Sequence, residues 1–130
     1  MDFEGYVRIL KYHADNQILS NMILKKTPIE FFDFMNSIPY KSQVFEDVSR
    51  NPENIFKYGG DCGEKTKCCI IYFKQNGIDY NINFQKVREN KFHVFPAMIK
   101  DGIEYPFDTT YGVLKIGEIF NYQIVYRHGK

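Results

Sequence analysis

Cys62, His93 and Asp108 follow one another in the order, and in the local contexts, that thiol catalysis needs. Cys62 closes a Gly59-Gly60-Asp61 turn and opens the helix-forming stretch Gly63-Glu64-Lys65-Thr66. A thiol at the first position of a helix faces unpaired backbone N–H groups and the positive end of the helix dipole, both of which favour a thiolate. His93 supplies an imidazole that can take the thiol proton and later return it to a leaving group. Its second ring nitrogen needs an acceptor to fix tautomer and orientation, and Asp108, at the head of Asp108-Thr109-Thr110, offers a carboxylate. The expected roles are nucleophile for Cys62, general base and acid for His93, and orienting carboxylate for Asp108. The backbone N–H of Cys62 is the expected oxyanion donor, with Gln43 and Asn51 as weaker side-chain candidates.

Each residue taken alone has a plainer reading. A cysteine at a helix start is often a structural thiol, a strand histidine is often half covered by its neighbours, and an aspartate before two threonines commonly forms a local turn. The ordered set of three favours catalysis over these separate readings. Cys68 and Cys69 fall in mid-helix and are expected in the core. A zinc site combining a cysteine with His13, His93 or His128 has no paired ligand spacing behind it, so neither a metal nor a cofactor is expected.

The elements that must position the triad are legible in part. The first 40 residues pattern as helical in two pieces, about 5–25 and 28–38, divided at Thr27-Pro28, with Asp15-Asn16-Gln17 as a weak point in the first. Thr27, Pro28 and Glu30 form a capping box with proline at the first helical position. Asn51-Pro52-Glu53 starts a short turn through Phe56, which Gly59-Gly60 ends. Asp61 caps the nucleophile helix, Glu64 completes a second capping box, and Gly77 ends the helix after Asn76. Its buried face is expected to be Thr66, Cys69, Ile70 and Phe73. Beyond Gly77 the periodicity becomes alternating, placing Tyr80, Ile82 and Phe84 on one face. A second strand spans 91–99, with His93, Phe95, Ala97 and Ile99 on one side. Asp101-Gly102 marks a hairpin into a third strand ending near Asp108, and a fourth is expected at about 121–127.

A chain of 130 residues is expected to form a single domain, 1–130, with a core at about 51–127 and N-terminal helices at about 5–38. Twelve Phe and ten Tyr give it a strongly aromatic interior. The net charge of +1 gives no electrostatic reason to expect nucleic acid as a partner. Three cysteines, two of them adjacent, make no disulfide framework, which suits a reducing compartment. No apolar run reaches membrane-spanning length and the acidic N-terminus is unlike a secretion signal, so the expected setting is cytoplasmic, without membrane attachment.

The Gly-Gly-Asp-Cys62-Gly-Glu turn opening a helix, the glycine-terminated helix end, His93 in a strand and the Phe107-Asp108-Thr109-Thr110-Tyr111 segment resemble the transglutaminase-like superfamily of papain-type thiol enzymes. The resemblance covers roughly residues 51–111, and Asn51-Pro52-Glu53 is similar to the Pro-Glu that precedes the cysteine turn in small bacterial and phage members. It implies an α+β fold with the nucleophile helix packed on an antiparallel sheet, a Cys62–His93–Asp108 triad, and a protein or peptide substrate. Departures include Gly63-Glu64 after the cysteine, Tyr58 at a position that often holds Trp, Val94-Phe95 after the histidine, and Asp108-Thr109-Thr110 in place of Asp-Pro-Thr. The implied activities are those of a cysteine peptidase or a crosslinking transglutaminase. The competing expectation is a non-catalytic, virion-associated module with a virion or host protein as partner. Arylamine acetyltransferases share the turn and the triad order, but this chain is short for that family.

Overall fold

A computed structural model describes residues 1–42 and 47–129. It is α+β, as the sequence patterning implies. Helices α1 (Phe3–Asp15), α2 (Asn21–Leu24), α3 (Pro28–Ser37), α4 (Pro52–Tyr58) and α5 (Cys62–Gln75) precede strands β1 (Asp79–Arg88), β2 (Lys91–Lys100), β3 (Ile103–Pro106) and β4 (Gln123–His128). The strands form one antiparallel sheet in the order β3-β2-β1-β4. Among the described residues no helix is long and apolar enough to cross a membrane.

Local chemistry sets most boundaries. Both expected capping boxes form: Thr27 with Glu30 at the head of α3, and Asp61 with Glu64 at the head of α5. The first helical stretch breaks after Asp15, where Asn16 bonds back to the Tyr12 and His13 carbonyls, and Ser20 then caps the short α2. The N-terminal region therefore holds three helices where the sequence patterning gives two. The β2–β3 turn places Asp101 at φ 53° and Gly102 at φ 76°, the pair of positive values that a tight hairpin requires.

Helix α5 departs most from expectation. Every residue from Cys62 to Phe73 is buried, including Glu64, Lys65 and Lys67, so the helix has no solvent face. It lies against α1 on one side and β1 and β2 on another, with α4 at its head. Ile82, Phe84, Val94 and Met98 of the sheet join Ile70, Ile71 and Phe73 of the helix in one core, together with Leu10 of α1 and Phe31 and Met35 of α3. Rings fill much of it: Phe31 stacks on Tyr72 at 4.0 Å between centroids, and Phe107 meets Phe32 and Phe73 edge-on at 4.8 and 5.1 Å.

The opposite sheet face is also buried at its centre, but by polar groups. Asn83 donates to Glu104 and accepts from Arg127, and Arg127 pairs with Glu104 at 3.1 Å, so side chains from β1, β3 and β4 lock together across the sheet. Gln85 donates to the carbonyls of Phe120 and Tyr122, which holds the returning 107–122 segment against the sheet. Replacing Gly102 with Ala keeps open space around the new methyl but strains a left-handed backbone. Urea unfolding of Gly102→Ala is expected to show a loss of about 1 kcal/mol.

Candidate functional site

The site forms where α5 begins, β2 passes beneath it and the 107–111 segment returns. Asp61 caps α5 through a bond from the Glu64 N–H at 2.9 Å, and the Glu64 carboxylate accepts from the Asp61 N–H at 3.2 Å. Arg50 clamps Glu64 with bonds of 2.6 and 3.0 Å and also donates to the Gly59 carbonyl at 2.8 Å. Gly59 has φ 92°, and a Cβ there would come within 2.7 Å of the Pro39 carbonyl oxygen. The close approach lets Gly60 pair with the chain at Pro39 and Lys41, which brings Tyr40 beside the cysteine turn. Cys62 is thus fixed by a cap, a partly buried ion pair and a glycine turn acting together.

Strand β3 pairs with β2 only as far as Ala97. Further along β2, the backbone of Val94 meets the start of α5, hydrogen bonding to the Cys62 sulfur and accepting from the Thr66 hydroxyl at 3.4 Å. Cys62 therefore sits against the strand one residue from His93, and both side chains line a single cleft of about 760 Å³. His93 Nε2 lies 2.6 Å from an Asp108 oxygen, and the other Asp108 oxygen accepts the Thr110 N–H at 3.1 Å. Asp108 is 1% exposed, so its carboxylate is shielded from competing water. With Nε2 donating to Asp108, Nδ1 is the nitrogen left to exchange a proton in the cleft.

Asp108 is held from both sides. Phe107 is anchored in the core and donates its N–H to the Pro96 carbonyl at 2.9 Å. On the other side, the carbonyls of Thr109 and Thr110 accept from Lys65 Nζ at 2.9 and 3.0 Å, and the same ammonium reaches the Met35 and Ile38 carbonyls at 3.3 and 2.5 Å. Lys65 lies one turn after Cys62, so one buried cation ties α5 to the Asp108 segment and to the end of α3. Lys67 does the same for the chain before α4, donating to the Val48 and Arg50 carbonyls. Burial pushes Lys65 down to about 8 and lowers Lys67.

Both lysines escape sequence reasoning because their partners are backbone carbonyls, which carry no residue signature. A signal is present all the same: Cys68-Cys69-Ile70-Ile71-Tyr72-Phe73 is apolar on every side, and such a helix must be enclosed along with any charges on it. Of the proposed side-chain oxyanion donors, Asn51 caps α4 on the exposed surface, outside the cleft lining, and Gln43 lies outside the described residues. The Cys62 N–H is the first-turn donor that Asp61 does not take, since Asp61 engages those of Gly63, Glu64 and Lys65.

The thiol itself differs from expectation. The helix start was expected to lower it, yet burial pushes Cys62 up to about 12, the Asp61 and Asp108 carboxylates push the same way, and bonds from the Val94 and Gly63 backbone recover only part. Desolvation outweighs the helix terminus because Cys62 is only 7% exposed. Burial likewise raises Asp61 to about 6. At neutral pH Cys62 rests as a thiol, and any attack by it would require its proton to pass to a base.

No protein-family model matches the chain, and no curated protein matches it.

Three outcomes are expected. Lys65→Met removes the donor shared by four buried carbonyls and is expected to cost about 2–4 kcal/mol in urea unfolding. Alkylation of Cys62 by iodoacetamide is expected to climb about tenfold per pH unit from pH 7 to 10, because the thiolate fraction does so below a raised pKa. Asp61→Asn keeps a cap and removes one repelling charge, so it is expected to speed alkylation roughly three- to tenfold at a given pH.

Proposed function

We propose that this chain is a thiol-dependent acyl-transfer enzyme that cleaves or exchanges amide bonds through Cys62, His93 and Asp108, acting as a cysteine peptidase. The observation that carries this reading is the buried 2.6 Å His93–Asp108 bond in the cleft wall that Cys62 shares. Cys62 Sγ attacks the amide carbonyl as His93 Nδ1 takes the thiol proton, and the Cys62 N–H donates to the oxyanion. The tetrahedral intermediate collapses, His93 gives its proton to the departing amine, and a thioester remains on Cys62. Water, deprotonated by His93, then releases the acid and restores the thiol. An amine in place of water gives a crosslink, so hydrolysis and transamidation share every residue up to the thioester. No step calls on a cofactor. The transglutaminase-like resemblance supports the same assignment and a protein or peptide substrate; the setting would be cytoplasmic.

A second reading has its own support. A thiol raised to about 12 and 7% exposed is also what an idle cysteine looks like, as in a non-catalytic module that binds a virion or host protein. A substrate-shaped, thiol-directed activity probe separates the two when its labelling at about pH 6 is read by intact mass. Catalysis predicts labelling that vanishes in Cys62→Ala and slows by roughly 100-fold or more in His93→Ala. Asp108→Asn is expected to slow it too, by roughly tenfold or more, because the wrong His93 tautomer becomes available. Labelling that is absent, or indifferent to His93→Ala, leaves the binding module.

A further inference from the structure

The cleft beside Cys62 is walled largely by rings. Tyr40, Phe92, Tyr111, Phe120 and Tyr122 line it, and Asp61 is the carboxylate among its lining residues. Tyr40 and Tyr111 pack at 4.7 Å, Tyr111 and Phe120 at 5.6 Å, and both Tyr111 and Phe120 flank the His93 ring at 6.0 and 5.8 Å. These rings are not core. Tyr40, Tyr111 and Tyr122 are 44%, 47% and 43% exposed, although the chain has a large interior that takes aromatic side chains elsewhere. Three exposed tyrosines on one cleft rim make an apolar surface that a ligand would cover.

We propose that this cleft is a subsite for a large apolar side chain of a peptide substrate, an aromatic one above all, presented next to the bond that Cys62 attacks. The inference rests on the acyl-transfer reading above and names its substrate class. Charge supports it. Asp61 is engaged by its capping bonds to the α5 backbone, leaving little to pair with a charged side chain. Ser42, Asn90 and Lys91 add polar groups to the lining, so a hydrophobic side chain finds its matching wall on the rings, while a cationic one meets Lys91 and loses its water without a free carboxylate to pair with. Aromatic rings also stack on sugars, so a chito-oligosaccharide is the competing ligand in the test.

Gln85 gives the subsite its rigidity. Its amide holds the Phe120 and Tyr122 carbonyls at 2.8 and 3.1 Å, so the ring-bearing segment is pinned to the sheet on the strand residue that pairs with His93. The same bonds that place Phe120 against the imidazole place Tyr122 on the rim. Selectivity and base positioning are thus built from one segment.

The test uses full-length Cys62→Ala protein, which cannot turn over, titrated with two acetylated tripeptide amides, Ala-Phe-Ala and Ala-Ala-Ala, and followed by NMR shifts of the tyrosine rings. The Phe peptide is expected to bind roughly tenfold tighter or more, the scale for burying one aromatic ring. Tyr122→Ser, which leaves the triad untouched, is expected to reduce that ratio to about threefold or less. Wild-type protein is then given the matching peptide thioesters, and acyl-Cys62 is counted by intact mass. Preference in binding without acylation sustains the subsite and defeats the acyl-transfer reading. Acylation without preference sustains the enzyme and overturns the subsite. Failure of the two peptides to differ in binding, failure of the Phe peptide to bind, or binding of a chito-oligosaccharide in their place overturns the proposal.

Discussion

Helix α5 is enclosed by its own fold, so each polar side chain along its first two turns must find a partner inside the protein. That requirement arranges the site. Glu64 takes Arg50 and the Asp61 N–H, Lys65 takes carbonyls from α3 and from the Asp108 segment, and Lys67 takes carbonyls at Val48 and Arg50. An isolated charge moved from water to this interior would be prohibitive, so each of these charges needs its partners in place. The chain segments around Cys62 are therefore tied to the helix by matched charges and dipoles in addition to shape.

The geometry of the proposed site follows from the same ties. Cys62 heads the enclosed helix, His93 sits on the strand beneath it, and Asp108 leaves the sheet just after Phe107 enters the core. Lys65 links the first and third of these directly, through Thr109 and Thr110. Enclosure also has a chemical consequence, because the desolvation that makes the lysine bonds strong raises the Cys62 thiol. A buried thiol beside two carboxylates gains little from a helix terminus, and in the proposed chemistry its activation falls to the imidazole that Asp108 holds.

What was legible in the sequence was local. The two capping boxes, Gly77, the Asp101-Gly102 hairpin and the alternating strands all announce themselves within a few residues, and each stands in the structure. The cysteine, histidine and aspartate could be ordered along the chain, and the His93–Asp108 contact they imply is present. The roles of Lys65 and Lys67 were hidden, since two lysines near a helix start read as a solvated face until the apolar run after them is weighed as a sign of enclosure. The raised thiol was hidden for a related reason: a helix terminus is visible in sequence, whereas the groups that close around it come from Tyr40, β2 and the 107–111 segment. Asn83 and Gln85, which pattern as an outer polar face, are buried by partners twenty or more residues away.

The central claim is that His93 holds Asp108 with Nε2 and keeps Nδ1 for the thiol proton. Long-range proton–nitrogen NMR on imidazole-labelled protein at neutral pH reads this directly. Wild-type protein is expected to carry the ring proton on Nε2, against Asp108, and to shift towards the other tautomer in Asp108→Asn. A His93 ring protonated at Nδ1 in the wild-type protein would leave no base facing Cys62 and would contradict that claim.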